Sequence, residues 1–151
     1  MPGLSSLIDT VTDTDLLADD ARRLLDELDR DVPGAASSSG ECRPALDIVE
    51  TADATEVIVD VPGLSAAALR VAIRQNTVLV VGAKLPQSAQ PDTRFHLAER
   101  NYGRFARAVR VTGAFDSSRS KAILSNGLLR IVLPRIEDRR GRLVHIDVET
   151  A

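Results

Sequence analysis

The sequence predicts an all-β protein, an antiparallel β-sandwich preceded by a helical arm and followed by a short extension. Three observations carry this. The hydrophobic pattern has a period of 3.6 residues before residue 33 and a period of 2 after residue 44. The alternating runs are short, separated by turn signals, and have no helical pattern between them, which favours antiparallel strands in two packed sheets. The apolar content is 44% of 151 residues, yet only 3% of the chain is aromatic and there is no Trp, so the core material is Ala, Val, Leu and Ile.

The arm comes first. Leu17, Ala21, Leu24 and Leu28 recur at i, i+4, i+7 and i+11, and Leu16 and Leu25 widen the stripe, which predicts an amphipathic helix over 14–30. Thr14 suits the N-cap. Asp15, Asp19 and Asp20 lie toward the positive end of the helix dipole, and Arg30 lies near its negative end. Pro33-Gly34 stops the helix, and the small residues that follow to Gly40 read as a linker within 33–43. A leucine stripe has to be covered, whether by the body, by another copy or by a foreign chain.

The strands follow over 44–134. Residues 45–50 and 56–61 are the first pair, the second running into the turn Pro62-Gly63. Residues 69–74 and 78–82 flank Asn76-Thr77, and 105–111 alternates again. Residues 121–124 and 128–133 bracket Ser125-Asn126-Gly127, where Asn-Gly supplies the positive φ angles of a tight hairpin. Residues 135–151 form the C-terminal extension.

Charge divides the chain at nearly the same boundary. Up to Arg43 there are ten acids and four bases; from Pro44 onward there are twelve acids and fifteen bases. An acidic arm is thus joined to a mildly basic body, far from the strongly positive balance of a polybasic nucleic-acid binder. One cysteine forms no internal bridge and fits a reducing compartment. Residues 1–13 lack the basic and apolar regions of a secretory signal, and no apolar run approaches membrane-spanning length, so a cytoplasmic location is expected, with no membrane partner.

The chemistry-bearing residues are sparse. No glycine-rich phosphate loop is present. His96, His145 and Cys42 are isolated from one another and suggest no metal or nucleophile, so they read as surface or partly buried groups. Nothing in their spacing pairs Glu50, Asp60, Glu99 or Asp116 as acid and base. No enzyme, no cofactor and no metal are therefore expected. Arg94, Arg100, Arg104, Arg107 and Arg110, with Phe95, Tyr102 and Phe105 among them, resemble a nucleic-acid surface locally. The weak net charge disfavours that reading against a solvent-facing sheet side with ion pairs.

An ordered set of motifs then appears: Asp-Val-Pro-Gly-Leu at 60–64, Asn-Thr-Val-Leu-Val-Val-Gly at 76–82, Glu-Arg-Asn-Tyr-Gly-Arg-Phe at 99–105 leading to Arg107 and Arg110, and Ala-Ile-Leu-Ser-Asn-Gly-Leu-Leu at 122–129 followed by Ile-Val-Leu-Pro at 131–134. Together they resemble the alpha-crystallin domain of the small heat-shock protein family, bacterial type. The resemblance makes the sandwich immunoglobulin-like and implies an ATP-independent holdase that binds partly unfolded client proteins. It also implies a homodimer and higher oligomers.

The resemblance further assigns roles to residues. A family I-x-I/V element is matched by Val144-His145-Ile146 and Ile146-Asp147-Val148, so Val144, Ile146 and Val148 are the C-terminal docking element. Burying two such side chains is worth on the order of 3–5 kcal/mol before ordering costs, which suits an exchangeable contact. The receiving edge groove falls on Leu69, Val71, Ile73, Ala122 and Leu124. The alternative is that 144–148 forms a last strand of its own sandwich. The loop over 83–95 matches the place where bacterial and plant members carry an extra strand that pairs with a partner, which puts Arg94 and Phe95 near a dimer contact. Arg107 matches a family arginine near that interface, expected to pair with a carboxylate across subunits.

Two departures stand out. Every aromatic lies at Phe95 or later, whereas family arms are often rich in Phe, so client and assembly contacts of this arm fall to Leu16, Leu17, Leu24, Leu25 and Leu28. Thr112-Gly113 replaces the Leu-Pro usual after the Arg110 strand. Two other functions compete: a CS-type β-sandwich adaptor binding one folded partner, and a nucleic-acid module acting through Arg94 to Arg110.

Overall fold

Among the described residues, one long helix forms before the change of periodicity and seven strands after it. A computed structural model describes residues 14–36, 42–86, 91–136, 143 and 145–150, with the backbone alone for 14–16. The side chain of Leu16 and all of Val144, both expected to make contacts, lie outside the described residues.

Helix α1 (Thr14–Asp31) agrees with the leucine periodicity to within a residue of its end. The strands are β1 (Leu46–Glu50), β2 (Ala54–Asp60), β3 (Leu69–Arg74), β4 (Thr77–Lys84), β5 (Gly103–Arg110), β6 (Lys121–Ser125) and β7 (Leu128–Pro134). They make two antiparallel sheets, one ordered β1-β2-β7-β6 and the other β3-β4-β5. Asn126 and Gly127 close the β6–β7 hairpin with φ of 51° and 76°, the positive values that their residue types tolerate.

Alternation places the core. Val57, Val59, Leu129, Ile131 and Leu133 point inward from the first sheet. Leu69, Val78, Val80, Phe105 and Val109 meet them from the second. Phe105, nearly fully buried, is one of the largest side chains there.

Strand β4 departs from simple alternation, because its run from Val78 to Ala83 is buried on both faces. Val78 and Val80 enter the sandwich, while Leu79 and Val81 point outward and are covered by α1. Ala21, Leu25 and Leu28 of the helix pack on Leu79, Val81, Ala106 and Ala108. Of the three covers open to the leucine stripe, the chain uses its own body.

Among the described residues, no helix is long and apolar enough to cross a membrane.

Candidate functional site

Two surfaces concentrate the apolar and charged groups. The first lies between the edge strands β3 and β6, one from each sheet. Val71 and Ile73 face it from β3 and Ala122 from β6, together with Ala72, Ser117, Ser120, Lys121 and Ile131, around a groove of about 350 Å³. These edges form the groove because, among the described residues, neither β3 nor β6 has a second strand neighbour in its sheet. Asp116 shapes one wall. Its carboxylate caps the short 3-10 turn Ser117–Arg119, accepting from the Ser118 N–H at 3.0 Å and the Ser118 hydroxyl at 2.6 Å. The Ser118 hydrogen bonds hold that carboxyl below its usual range.

Three of the five expected groove residues, Val71, Ile73 and Ala122, therefore line one surface. Leu69 and Leu124 do not. Leu69 and Leu124 share the strand parity of Val71, Ile73 and Ala122, but Leu69 is buried in the core and Leu124 packs against it without lining the groove. Ala72, Lys121 and the Ser117–Ser120 wall were not read from the sequence, since that wall belongs to a turn with no apolar signal.

The tail presents its side chains to solvent. Ile146 is 85% and Val148 97% exposed, and residues 145–150 form no strand with the sandwich. Residues 91–101 are likewise exposed and outside any strand, with Arg94 open, Phe95 65% and Leu97 75% accessible. On edge strand β1, Ile48 and Val49 are also exposed. The Arg107 guanidinium donates to the Pro44 carbonyl at 2.5 Å, a contact inside the chain.

The second surface is the outward face of β3-β4-β5. Its register sets Ala72, Leu79 and Ala108 in one row and Arg70, Val81 and Ala106 in the next. Leu17, Leu25 and Leu28 are buried in the chain and Leu24 partly so. These four of the five arm leucines expected to meet clients or other copies are thus occupied internally, because the alanine-floored sheet face is shallow enough to seat a helix.

Acids of α1 reach arginines on both sides of that face. Arg74 donates to both Asp20 oxygens, at 2.5 and 2.9 Å. Arg70 donates to Asp31 at 2.8 Å and has Glu27 at 3.8 Å, and Arg104 donates to Asp29 at 3.0 Å. The hydrogen bond from Arg74 holds the Asp20 carboxyl below the usual carboxylate range.

The remaining candidates separate. His96 and His145 are exposed, and no group of three or more His, Cys, Asp or Glu is placed to hold a metal among the described residues. Cys42 packs partly against the core, and burial pushes its thiol pKa up, which disfavours a reactive thiolate. Glu50, Asp60 and Glu99 are exposed on different elements. The arginine stretch does not share one face: Arg104 and Arg107 have opposite parity on β5. Phe105 is interior, and Arg100 stacks over the Tyr102 ring at 5.2 Å.

Residues 47–148 match the Hsp20/alpha crystallin family. Small heat shock protein C2 of Rickettsia felis is 25% identical over 114 residues, covering 76% of this chain and 74% of that one. The 21.9 kDa heat shock protein of Oryza sativa subsp. japonica is 33% identical over 142 residues, covering 83% and 69%. Among solved structures, heat shock protein 16.0 from Schizosaccharomyces pombe superposes with a TM-score of 0.62 at 25% identity, covering 71% of this chain and all of that one.

Proposed function

The chain belongs to the Hsp20/alpha-crystallin family of small heat-shock chaperones, and on that footing we propose that it is an ATP-independent holdase that captures partly unfolded proteins before they aggregate. The observation that carries the reading is a set of exposed apolar side chains on segments outside the strands, together with an open groove at the sandwich edge. Phe95, Leu97, Ile146 and Val148 have no place in the core, and the β3–β6 groove has apolar walls in Val71, Ile73 and Ala122. A surface that binds the unfolded form and not the native one needs no energy source, because mass action selects.

Assembly follows from the same features. The tail residues Val144, Ile146 and Val148 dock in the β3–β6 groove of another subunit, with Val71 and Ile73 as the first contacts. The segment around Arg94 and Phe95 pairs with a partner's sandwich, for which the exposed edge strand β1 offers unpaired backbone and the side chains Ile48 and Val49. Repetition of such weak contacts yields assemblies that exchange subunits.

The test is a client protein heated with increasing amounts of this chain, followed by light scattering with and without ATP. Suppression near stoichiometric ratio, equal in both series, is expected. Scattering unchanged at several-fold excess sinks the holdase reading.

A further inference from the structure

We propose that the outward face of β3-β4-β5 is a receptor for acid-flanked amphipathic helices of partly unfolded proteins, and that α1 is its built-in competitor. The inference rests on the holdase reading for the origin of the helix it binds, and on the geometry of the face for its chemistry.

The face has three properties that seldom coincide. A central apolar ridge, Leu79 and Val81, has Ala72, Ala106 and Ala108 beside it, so the floor is greasy and low. Arginines frame it: Arg70 and Arg74 along β3, Arg104 on β5. The occupant is complementary in both respects, since its leucines meet the ridge and Asp20, Asp29 and Asp31 donate no proton but accept from those arginines at 2.5 to 3.0 Å. The charge split between arm and body is therefore realised as contacts across one interface.

The fit of the arm is incomplete. An open crevice of about 320 Å³ runs beside the helix, between Leu17, Asp20 and Leu24 on one side and Ala72, Arg74 and Leu79 on the other. The arginine side chains are only partly covered, so the ion pairs are screened by salt and individually weak. The ion pairs thus add little to the leucine contacts that a competing helix has to match. A client helix with leucines at the same spacing and acids at its flanks meets the same ridge and the same arginines, and one with bulkier apolar groups also fills the crevice.

The experiment uses the full chain carrying Leu25→Asp, which lifts the arm while leaving the sandwich core untouched. Its probe is a fluorescent synthetic peptide of residues 14–31, compared with a version in which Asp20, Glu27, Asp29 and Asp31 are replaced by Lys. The acidic peptide is expected to bind at least about tenfold more tightly than the Lys version. Binding to the unsubstituted chain is expected to be weaker, since its arm competes. Adding Arg74→Glu and Arg104→Glu to the sheet removes the preference. Equal affinity for the two peptides overturns the proposal, as does absence of binding to a variant that still melts cooperatively. If Leu25→Asp does not fold, Asp20→Arg with Asp29→Arg lifts the arm by charge instead and takes the same readings.

Two further readings decide the occupant. Excess acidic peptide is expected to reduce aggregation suppression by the arm-lifted chain; suppression unaffected at saturating peptide overturns the assignment to clients. With Cys42→Ser, Asp20→Cys and Arg74→Cys, a short bismaleimide is expected to link positions 20 and 74 within one chain. Linkage predominantly between two chains assigns the face to a second copy's arm and also overturns it. Peptide preference is read without any client, so its survival alongside a failed aggregation assay supports the receptor face and counts only against the holdase reading.

Discussion

Gly82 stands opposite Phe105 in the β4–β5 register, and a Cβ there would lie 2.3 Å from the ring Cζ and 3.0 Å from Leu69 Cδ2. Both neighbours are core side chains, so neither swings out to solvent. Gly82→Ala is expected to lower stability by about 1–3 kcal/mol through overpacking, seen in urea unfolding as a lower midpoint with an unchanged slope. The glycine was visible in the motif at 76–82; its reason, an aromatic ring twenty-three positions later in sequence and directly across the ladder, needed the register. Asn126-Gly127 was legible in full, because the constraint there is local: two positive φ angles in consecutive residues. Leu69 and Leu124 show the opposite case. Their strands were identified and their parity is that of Val71, Ile73 and Ala122, but which positions along each strand reach the groove depends on how the two sheets pack.

At the scale of elements, α1 is the piece whose partner the sequence left open. Its stripe marks one apolar face and its acids mark the flanks, yet neither says what lies beneath. A signal did exist in β4, whose apolar residues run without a polar break from Val78 to Val81, the pattern of a strand buried on both sides. Paired with the Arg-x-Ala-x-Ala spacing of β5 from Arg104 to Ala108, it marks a covered sheet face. The Asp20–Arg74 pair gives this docking a pH dependence. The folded pKa of Asp20 is depressed below its ordinary value of 3.8, so its contribution is complete above that value and fades as pH falls through and below it. Asp20→Asn at neutral pH is expected to speed amide exchange across residues 17–31 about threefold. Acidification below 3.8 is expected to lower the protection of these amides in the unsubstituted chain by a similar factor, once exchange is scaled to the unprotected rate at each pH, and to do less to the variant. Exchange in α1 that ignores both changes would show that the leucines alone hold the arm.

For the whole molecule, the two layers and the covering helix leave the apolar side chains of the tail and of residues 91–101 outside any core of the chain itself. Deleting residues 143–151 is expected to shift light-scattering mass downward toward the dimer while the sandwich melts at the same temperature, since the exposed tail contributes no core contact. An unchanged mass would mean that the groove between β3 and β6 is not filled by this tail. The same measurement discriminates against a CS-type adaptor, for which a tail deletion leaves a monomer as it was.

The sequence by itself determined the sandwich, the helix, the hairpin at Asn126-Gly127 and the family, because each rests on local periodicity, turn chemistry or an ordered set of motifs. Tertiary structure alone decided that the arm lies on β3-β4-β5, that Arg70, Arg74 and Arg104 receive its acids, and that Val71, Ile73 and Ala122 share a groove while Leu69 and Leu124 do not. The physical reason is common to all three. Amphipathicity states that a face will be covered, and charge states its sign. The identity of the cover, however, depends on which residues a strand register and a sheet packing bring side by side from positions about forty to seventy-five apart in the chain.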